Sequence, residues 1–207
     1  MIGIIYYGMG NIASVRNALE HLGLSCKVCL NPKEAESCKR LILPGVGAYP
    51  RAIRNIEENG WSSFIQSSAL EKKIPFLGIC LGMQLMLENS KEFENCSGLS
   101  LVQGTVEPLI DKVKSNRLPH MGWNDLTSIK SSSKLLGLEV GEQNTRTFYF
   151  VHNFYCKLKD REIVTAKCDY EFEFDAVFEK ENLFGCQFHP EKSQRAGFEI
   201  LKRFSKV

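Results

Sequence analysis

The chain has 207 residues, with 26 lysines and arginines against 24 aspartates and glutamates, and 43% of its residues are hydrophobic. This length fits one large domain or two small ones with an ample core, and the balanced charge leaves no electrostatic footprint for a nucleic acid. No run of about 18 apolar residues could cross a membrane. The start, MIGIIYYGMG, lacks the basic region and cleavage site of a signal peptide, so we expect a cytoplasmic protein.

The first half of the chain alternates strands and helices. Apolar patterning predicts strands over 2–7, 24–30, 40–45 and 74–79, and helices over 12–22, 52–59 and 81–89. Asn11 is expected to cap the first helix and Gly23 to close it. The run IPFLGI is wholly apolar, which is typical of a central parallel strand buried on both faces.

The second half is richer in strands. Short apolar runs separated by turns predict strands over 104–110, 125–129, 147–156, 162–170, 175–180 and 183–188, followed by a helix over Gln194–Phe204. We therefore predict one α/β domain over residues 1–207. Its mostly parallel sheet is flanked by helices, and its second half carries additional antiparallel strands.

The cysteines indicate a reducing compartment. All eight are scattered through apolar segments, as reduced cysteines that act as small hydrophobes would be. Cys26 and Cys29 have C-x-x-C spacing, but a strand would place them on opposite faces, and no second pair completes a zinc site. We expect a structural role for both and no bound metal.

Chemistry in such sheets lies at the carboxyl ends of strands. That rule selects GMGN, PGVG, GICLG and QFHPE. Gly8, Gly10 and Ala13 loosely match a dinucleotide-binding turn, but the second strand closes with Leu30, Asn31 and Pro32 and lacks the acidic residue that binds a ribose. GMGN is therefore interpreted as a tight turn, and no cofactor is expected.

Cys80 is the candidate nucleophile. Gly78 and Gly82 flank it as in a sharp strand-to-helix elbow, where bulkier residues would clash. Gln84 lies four residues on, so it shares a helix face with Cys80 and could reach a bound substrate. A buried structural cysteine is the alternative.

His189 is the best candidate for a base. In QFHPEKS, Pro190 forces residue 189 into an extended conformation, so Glu191 can point the same way as the imidazole. His21 is expected on the surface of the first helix, while His120 and His152 have no carboxylate nearby in sequence. The glycine-rich PGVG segment could supply a backbone N–H for an oxyanion hole, with a second N–H from Leu81.

Together, PGVG, GICLGMQ and FHPEKS resemble the class I (triad-type) glutamine amidotransferases over nearly the whole chain. The resemblance implies a flavodoxin-like fold. Within that family, YGMGN, LPGVGAY, LPHMGWN and FYFVHNFY are most similar to the glutaminase subunit of imidazole glycerol phosphate synthase. Two departures are visible: Tyr6 replaces an acidic residue of the first motif, and Asn153 replaces the usual Ser or Thr after the V-H histidine.

The resemblance also implies roles. Cys80 would attack the carboxamide of L-glutamine, His189 would move the proton, and Glu191 would orient His189. The amides of Gly47 and Leu81 would form the oxyanion hole. The substrate would be held by the Gln84 side chain and by the backbone of Asn153 and Phe154.

A partner is expected because free ammonia is mostly protonated at pH 7 and the chain has no obvious site for a phosphorylated acceptor. The resemblance implies a heterodimer with a (β/α)₈-barrel cyclase subunit in histidine biosynthesis. Met121, Trp123, Asn124 and Lys192 are candidates for the docking face, with core packing as the alternative for Trp123.

Three other interpretations stay open. A paralogue could supply ammonia for a modified sugar of bacterial surface glycans. The chain could also be a catalytically silent scaffold, or a general cysteine hydrolase of peptides or esters. The intact candidate triad argues against the scaffold, and Gln84 with HMGWN favours a glutaminase over a general hydrolase.

Overall fold

One mixed sheet organises the computed structural model, which describes residues 1–93, 95–114, 117–137 and 146–207. Its strands are β1 (Ile2–Ile5), β2 (Cys26–Cys29), β3 (Arg40–Gly45), β4 (Phe76–Cys80), β5 (Asn89–Ser90), β6 (Cys96–Ser97), β7 (Gly104–Pro108), β8 (His120–Thr127), β9 (Thr147–His152), β10 (Phe154–Leu158), β11 (Val164–Asp169), β12 (Glu173–Lys180) and β13 (Leu183–Cys186). Its helices are α1 (Ile12–His21), α2 (Pro32–Ala35), α3 (Tyr49–Glu58), α4 (Trp61–Gln66), α5 (Leu81–Leu85) and α6 (Gln194–Phe204).

The parallel part of the sheet has the order β2-β1-β3-β4-β13. This is the flavodoxin-like order, with β13 in the place of the fifth strand. Because β3, β4 and β13 are parallel neighbours, their carboxyl ends meet at one edge of the sheet. That edge carries the PGVG segment, Cys80 and the QFHPE segment. GMGN follows β1, which is also parallel to β3, so the topology places all four selected motifs at this edge.

Both faces of the parallel sheet are covered. Alternate residues of β3 enter different cores, with Leu41 and Leu43 in one cluster and Ile42 in the other. Every residue of β4 is buried, which confirms the interpretation of IPFLGI as a central strand. The sheet edge that carries Cys80 is therefore formed by strands that are packed on both faces.

The second half is antiparallel where it joins the sheet, as expected, but two predicted strands differ. The predicted strand 147–156 splits at Asn153, because β9 pairs with β8 whereas β10 pairs with β7 and β12. The predicted strand 125–129 runs instead from His120 to Thr127, because residues 120–125 pair with β9. The chain thus bends at Asn153, beside the site described below.

The helices also show where local signals were insufficient. Asn11 is the N-cap residue of α1, as predicted, but its side chain makes no capping hydrogen bond. Gly23 closes the helix with a φ of 66°, as predicted. Helix α5 ends at Leu85 rather than at Asn89, because the chain turns there into β5. No helix in the described ranges is long and apolar enough to cross a membrane.

Candidate active site

Cys80 is the last residue of β4 and the N-cap of α5, on a turn with φ 53° and ψ −110°. This backbone conformation is rare for a residue with a side chain. The flanking glycines are required by contact. A Cβ on Gly82 would lie 1.8 Å from the carbonyl oxygen of Leu43, and one on Gly78 would lie 2.7 Å from that of Gly82. The predicted sharp elbow is confirmed.

His189 and Glu191 are paired and buried. Nδ1 of His189 lies 2.8 Å from Oε1 of Glu191, and both side chains are 1% exposed. The predicted pairing is present, but the backbone that produces it differs. His189 is extended, whereas Pro190–Lys192 forms a 3-10 turn that brings Glu191 within hydrogen-bond distance of the His189 ring. Because the carboxylate accepts a hydrogen bond from Nδ1–H, the free lone pair of a neutral His189 imidazole is on Nε2.

Cys80 is the group that His189 faces across the site. Nε2 of His189 has no hydrogen bond of normal geometry among the described residues. Burial lowers the pKa of the imidazole, but the neighbouring Cys80 thiolate and the Glu191 carboxylate outweigh burial and raise the pKa to about 10. These two neighbours therefore favour the charged form of the His189 imidazole.

Two amide side chains lie behind Cys80. The carbonyl oxygen of Phe154 accepts a hydrogen bond of 2.9 Å from Nε2 of Gln84, which also donates to Oε1 of Gln187 at 3.1 Å. Nε2 of Gln187 then donates to Sγ of Cys80 at 3.6 Å. Gln187 was not predicted, although it lies two residues before His189 and so shares its side of an extended segment.

A cavity of about 360 Å³ opens above the sulfur. It is lined by 46–48, Cys80, Leu81, Gln84, Glu92, Pro119 and 151–154. The candidate oxyanion residues Gly47 and Leu81 and the candidate substrate-binding residues Gln84, Asn153 and Phe154 therefore all border the same space as the thiol. Leu81 is the first residue of α5, so its N–H has no partner within the helix.

Glu92 is the one carboxylate among the residues that line this cavity. It is 7% exposed, and its Oε2 accepts a hydrogen bond of 3.1 Å from the backbone N–H of Tyr49. Burial raises the pKa of this carboxyl, and the Tyr49 hydrogen bond opposes that shift. The sequence carried no signal for Glu92, because it follows the two-residue strand β5 in an irregular segment and reaches the cavity only through tertiary folding.

Comparison with known proteins identifies the family of this chain. The family model for class I glutamine amidotransferases matches residues 4–206. The chain belongs to this family. It is therefore an enzyme of the glutamine amidotransferase class, and the resemblance found in its motifs is confirmed.

Two relatives of this amidotransferase are similar over their full length. It is 44% identical to an imidazole glycerol phosphate synthase subunit HisH from Caldanaerobacter subterraneus subsp. tengcongensis, over all of this chain and 98% of that protein. It is 41% identical to an imidazole glycerol phosphate synthase subunit HisH 1 from Campylobacter jejuni strain 81-176, over 100% of both chains.

Solved structures show the same fold at low sequence identity. A glutamine amidotransferase crystal structure superposes with a TM-score of 0.72 at 18% identity, over 100% of this chain and 99% of the other. PurLQS from Thermotoga maritima gives 0.71 at 18% identity, over 99% and 97%. The expected flavodoxin-like amidotransferase fold is confirmed.

The remaining histidines of this amidotransferase do not compete with His189. His21 is exposed on α1, as predicted. His120 and His152 are buried and bonded to each other, with Nδ1 of His120 3.0 Å from Nε2 of His152. Nδ1 of His152 is also occupied, because it donates to the carbonyl of Phe154 at 2.8 Å. Neither ring nitrogen of His152 is free to accept a proton from Cys80.

These two neutral histidines predict acid sensitivity. Burial lowers the pKa of His120 to about 4, while burial and then the neighbouring His120 lower that of His152 to about 3. Below an ordinary histidine pKa of about 6.5 the unfolded chain binds more protons than the folded one, so stability falls as the pH drops from 6.5 through these lowered values. Urea unfolding between pH 7 and 4.5 measures this loss. His120→Phe should reduce it by on the order of 1–3 kcal/mol, and an unchanged pH slope would contradict the assignment.

The candidate docking residues divide between the two faces of β8. Met121 and Trp123 are 62% and 48% exposed on the outer face, which excludes core packing for Trp123. Trp123 lies edge-on to Tyr149 of β9, and Nζ of Lys192 lies 5.7 Å from the centre of the Tyr149 ring. Asn124 lies on the opposite side, where its Nδ2 donates to the Asp169 carbonyl at 2.9 Å. The outer group of Met121, Trp123, Tyr149 and Lys192 is called the β8–β9 face below.

Two segments with structural interpretations lie in the local structures expected for them. None of the eight cysteines forms a disulfide, and Cys26 and Cys29 lie on β2. Gly8 and Gly10 have φ values of 88° and 108°, consistent with the tight turn assigned to GMGN.

Proposed function

We propose that this amidotransferase hydrolyses L-glutamine to glutamate and ammonia through Cys80, His189 and Glu191. The observation that carries the proposal is the arrangement of His189. Its Nδ1 is held by Glu191, and its free Nε2 lies on the side of Cys80. This is the nucleophile, base and orienting group that covalent acyl transfer needs. The whole chain, residues 1–207, is proposed to form one such domain.

The chemistry proceeds in two halves. His189 accepts the thiol proton, and the Cys80 sulfur attacks the carboxamide carbon of glutamine. Collapse of the tetrahedral intermediate breaks the C–N bond, with the His189 proton passing to the nitrogen, and leaves a thioester. Water, deprotonated by His189, then attacks the thioester and releases glutamate and the thiol. Glu191 keeps the imidazole aligned through both halves.

The cavity walls supply the remaining functions. The amides of Gly47 and Leu81 stabilise the oxyanion, and loss of one such donor typically costs about 3 kcal/mol of transition-state stabilisation. Gln84 and the backbone of Asn153 and Phe154 hold the amino-acid end of the substrate. Gln187 helps to hold the sulfur in place through its hydrogen bond to Sγ.

Glu92 is proposed to bind the α-ammonium of glutamine. It is the carboxylate of the cavity lining, and its Oε2 is already used by Tyr49, so Oε1 can accept a hydrogen bond from the ligand. A buried carboxylate gains most from a cation that enters the same cavity.

Glu92→Gln tests that role. The amide oxygen can still accept from the Tyr49 N–H, so the variant removes the negative charge with little change of shape. We expect the KM for glutamine to rise about 10–100-fold with a smaller change in kcat, the range for one charge-assisted hydrogen bond. Initial rates of glutamate formation measure both constants. Glu58→Gln, on the exposed side of α3, is the matched control. An unchanged KM would remove Glu92 from the site.

A partner that consumes the ammonia is also proposed. Two relatives over 40% identical along their whole length are named as subunits of imidazole glycerol phosphate synthase. The β8–β9 face offers exposed Met121 and Trp123 beside Lys192, a mixture of aromatic, apolar and cationic groups that suits a protein interface. We propose that a (β/α)₈-barrel cyclase docks there as a heterodimer and receives ammonia through a channel, for histidine biosynthesis. Eight cysteines that form no disulfide support a cytoplasmic location.

The deciding experiment mixes the purified chain with the cyclase subunit from the same genome. Glutamate release is recorded with and without the cyclase, and with the cyclase's phosphorylated ligand. We expect strong stimulation together with a 1:1 complex, which Trp123→Ala and Lys192→Ala weaken. Absence of any glutamate under all conditions would end the proposed reaction. A complex indifferent to both substitutions would end the proposed docking face.

Complementation distinguishes the pathway. Growth of a histidine auxotroph that lacks its own glutaminase subunit supports histidine synthesis. Failure to grow despite intact glutaminase activity supports the surface-glycan paralogue, for which Tyr6 and Asn153 are the relevant departures.

A further inference from the structure

Buried polar side chains form one continuous chain of hydrogen bonds from β8 to the candidate nucleophile. At its outer end, Nδ2 of Asn124 lies 3.4 Å from Nε2 of His120. The His120–His152 contact and the bond from His152 to the Phe154 carbonyl continue it. Gln84 shares that carbonyl and leads through Gln187 to the sulfur of Cys80.

The direction of every link follows from chemistry. A carbonyl only accepts, so the proton of His152 is on Nδ1 and its Nε2 is an acceptor. His120 must then donate from Nδ1, and its own Nε2 accepts from the amide of Asn124. The same carbonyl requires Gln84 to present its NH₂ group. One arrangement of protons therefore satisfies the whole chain, and it leaves both histidines neutral.

Aromatic rings pack around His120 on three sides. The ring of His120 stacks on Tyr170 at 4.0 Å and on Phe150 at 4.8 Å between centroids, and Phe174 closes a third side. Both imidazoles are buried, at 2% and 6% exposure. A hydrogen bond lost here is not readily replaced by water, so its loss acts on the geometry of the remaining partners.

The pair also lies next to the point where the strand pairing changes. His120 and His152 are directly opposite each other in the pairing of β8 with β9. Asn153 is the next residue, and at this bend the chain stops pairing with β8 and begins, as β10, to pair with β7. Residues 151–154 form a wall of the cavity. The bond between the two rings therefore ties that wall to β8.

We propose that His120 and His152 are positioning residues, which hold the 152–154 wall and the Phe154 carbonyl in the geometry that binds glutamine and supports Cys80. The inference rests on the proposed function, since it concerns how well that same cavity binds its substrate. It assigns no proton transfer to either ring. Displacing β8 would loosen the substrate site without contact with the substrate itself.

A pair of substitutions at residue 120 separates the hydrogen bond from the stacking. His120→Phe keeps an aromatic ring between Tyr170 and Phe150 but removes the donor. His120→Asn places an N–H close to the position of Nδ1 but removes the ring. His21→Phe, on the exposed side of α1, is the control for the same change elsewhere.

The readout is labelling of Cys80 by 6-diazo-5-oxo-L-norleucine, a diazoketone analogue of glutamine, followed by mass spectrometry. Its saturation constant reports on the pocket and its limiting rate on the nucleophile. We expect His120→Phe to raise the saturation constant about tenfold, the factor for one hydrogen bond, and His120→Asn to stay within about threefold of the wild type. If His120→Phe fails to fold, Asn124→Leu at the outer end should raise the constant about threefold.

The outcomes are distinct. Equal saturation constants in wild type and His120→Phe, or an Asn variant as impaired as the Phe variant, overturn the positioning role. A smaller labelled fraction of Cys80 with an unchanged saturation constant and limiting rate does so too, because it indicates only a smaller folded fraction. Failure of the wild-type chain to be labelled at Cys80 contradicts the proposed function itself, and so is separable from failure of this inference.

Discussion

Replacing Cys80 with serine or alanine is expected to lower glutamate release at saturating glutamine by at least about 1,000-fold, since the thioester can no longer form. Serine keeps nearly the shape of the thiol, but its hydroxyl is far harder to deprotonate beside His189. His189→Ala should cost about as much. The double variant should be little worse than either single one, because the two residues act as a unit.

The measurement is glutamate formation by the chain in the presence of the proposed cyclase partner, with circular dichroism to establish that each variant is folded. Cys26→Ser, on β2 and away from the cavity, is the matched cysteine control and should retain full activity. Undiminished turnover by Cys80→Ala would refute the covalent mechanism. Additive losses in the double variant would show that the two side chains act separately.

Gly82→Ala is expected to destabilise the fold by about 3 kcal/mol or more. The new Cβ would lie 1.8 Å from the Leu43 carbonyl oxygen, which is main chain inside β3 and cannot rotate away. Helix α5 must then move off the sheet and carry the Cys80 elbow with it. Alanine is the better helix former by about 1 kcal/mol, so the measured loss already includes that gain.

Urea unfolding of wild type and variant gives the free energy directly. Gly60→Ala is the informative comparison, because that glycine has a φ of 71° but no atom lies within 4 Å of the position that a Cβ would take. It should cost only about 1 kcal/mol of backbone strain. A Gly82 variant no less stable than the Gly60 variant would mean that the elbow tolerates a side chain. The close packing of α5 on β3 would then not matter for stability.

The parts of this fold that sequence predicted best are those with strong local patterns. A continuous apolar run is diagnostic for β4 because a parallel strand covered on both faces has no polar side. Helix α4 was missed because WSSFIQ contains serines and aromatic residues that form helices weakly in isolation, and its packing comes from elsewhere in the chain.

The candidate site shows the same division. Cys80, Gly78 and Gly82 could be identified because an elbow is a local structure with local steric demands. Glu191 was identified beside His189 although a 3-10 turn follows His189 in place of an extended chain, since a separation of two residues keeps the two side chains within reach of each other. Glu92 and the His120–His152 pair depend on which strands become neighbours, and no short-range pattern reports that.

The backbone conformation at residue 80 has a consequence for engineering. A φ of 53° with a ψ of −110° is one that glycine adopts more readily than any other residue. A library screened only for thermal resistance would therefore tend to enrich glycine at this position and discard the sulfur. Stabilised versions of this enzyme should be selected for turnover as well, because glycine fits the backbone at position 80 best, whereas the proposed reaction needs cysteine there.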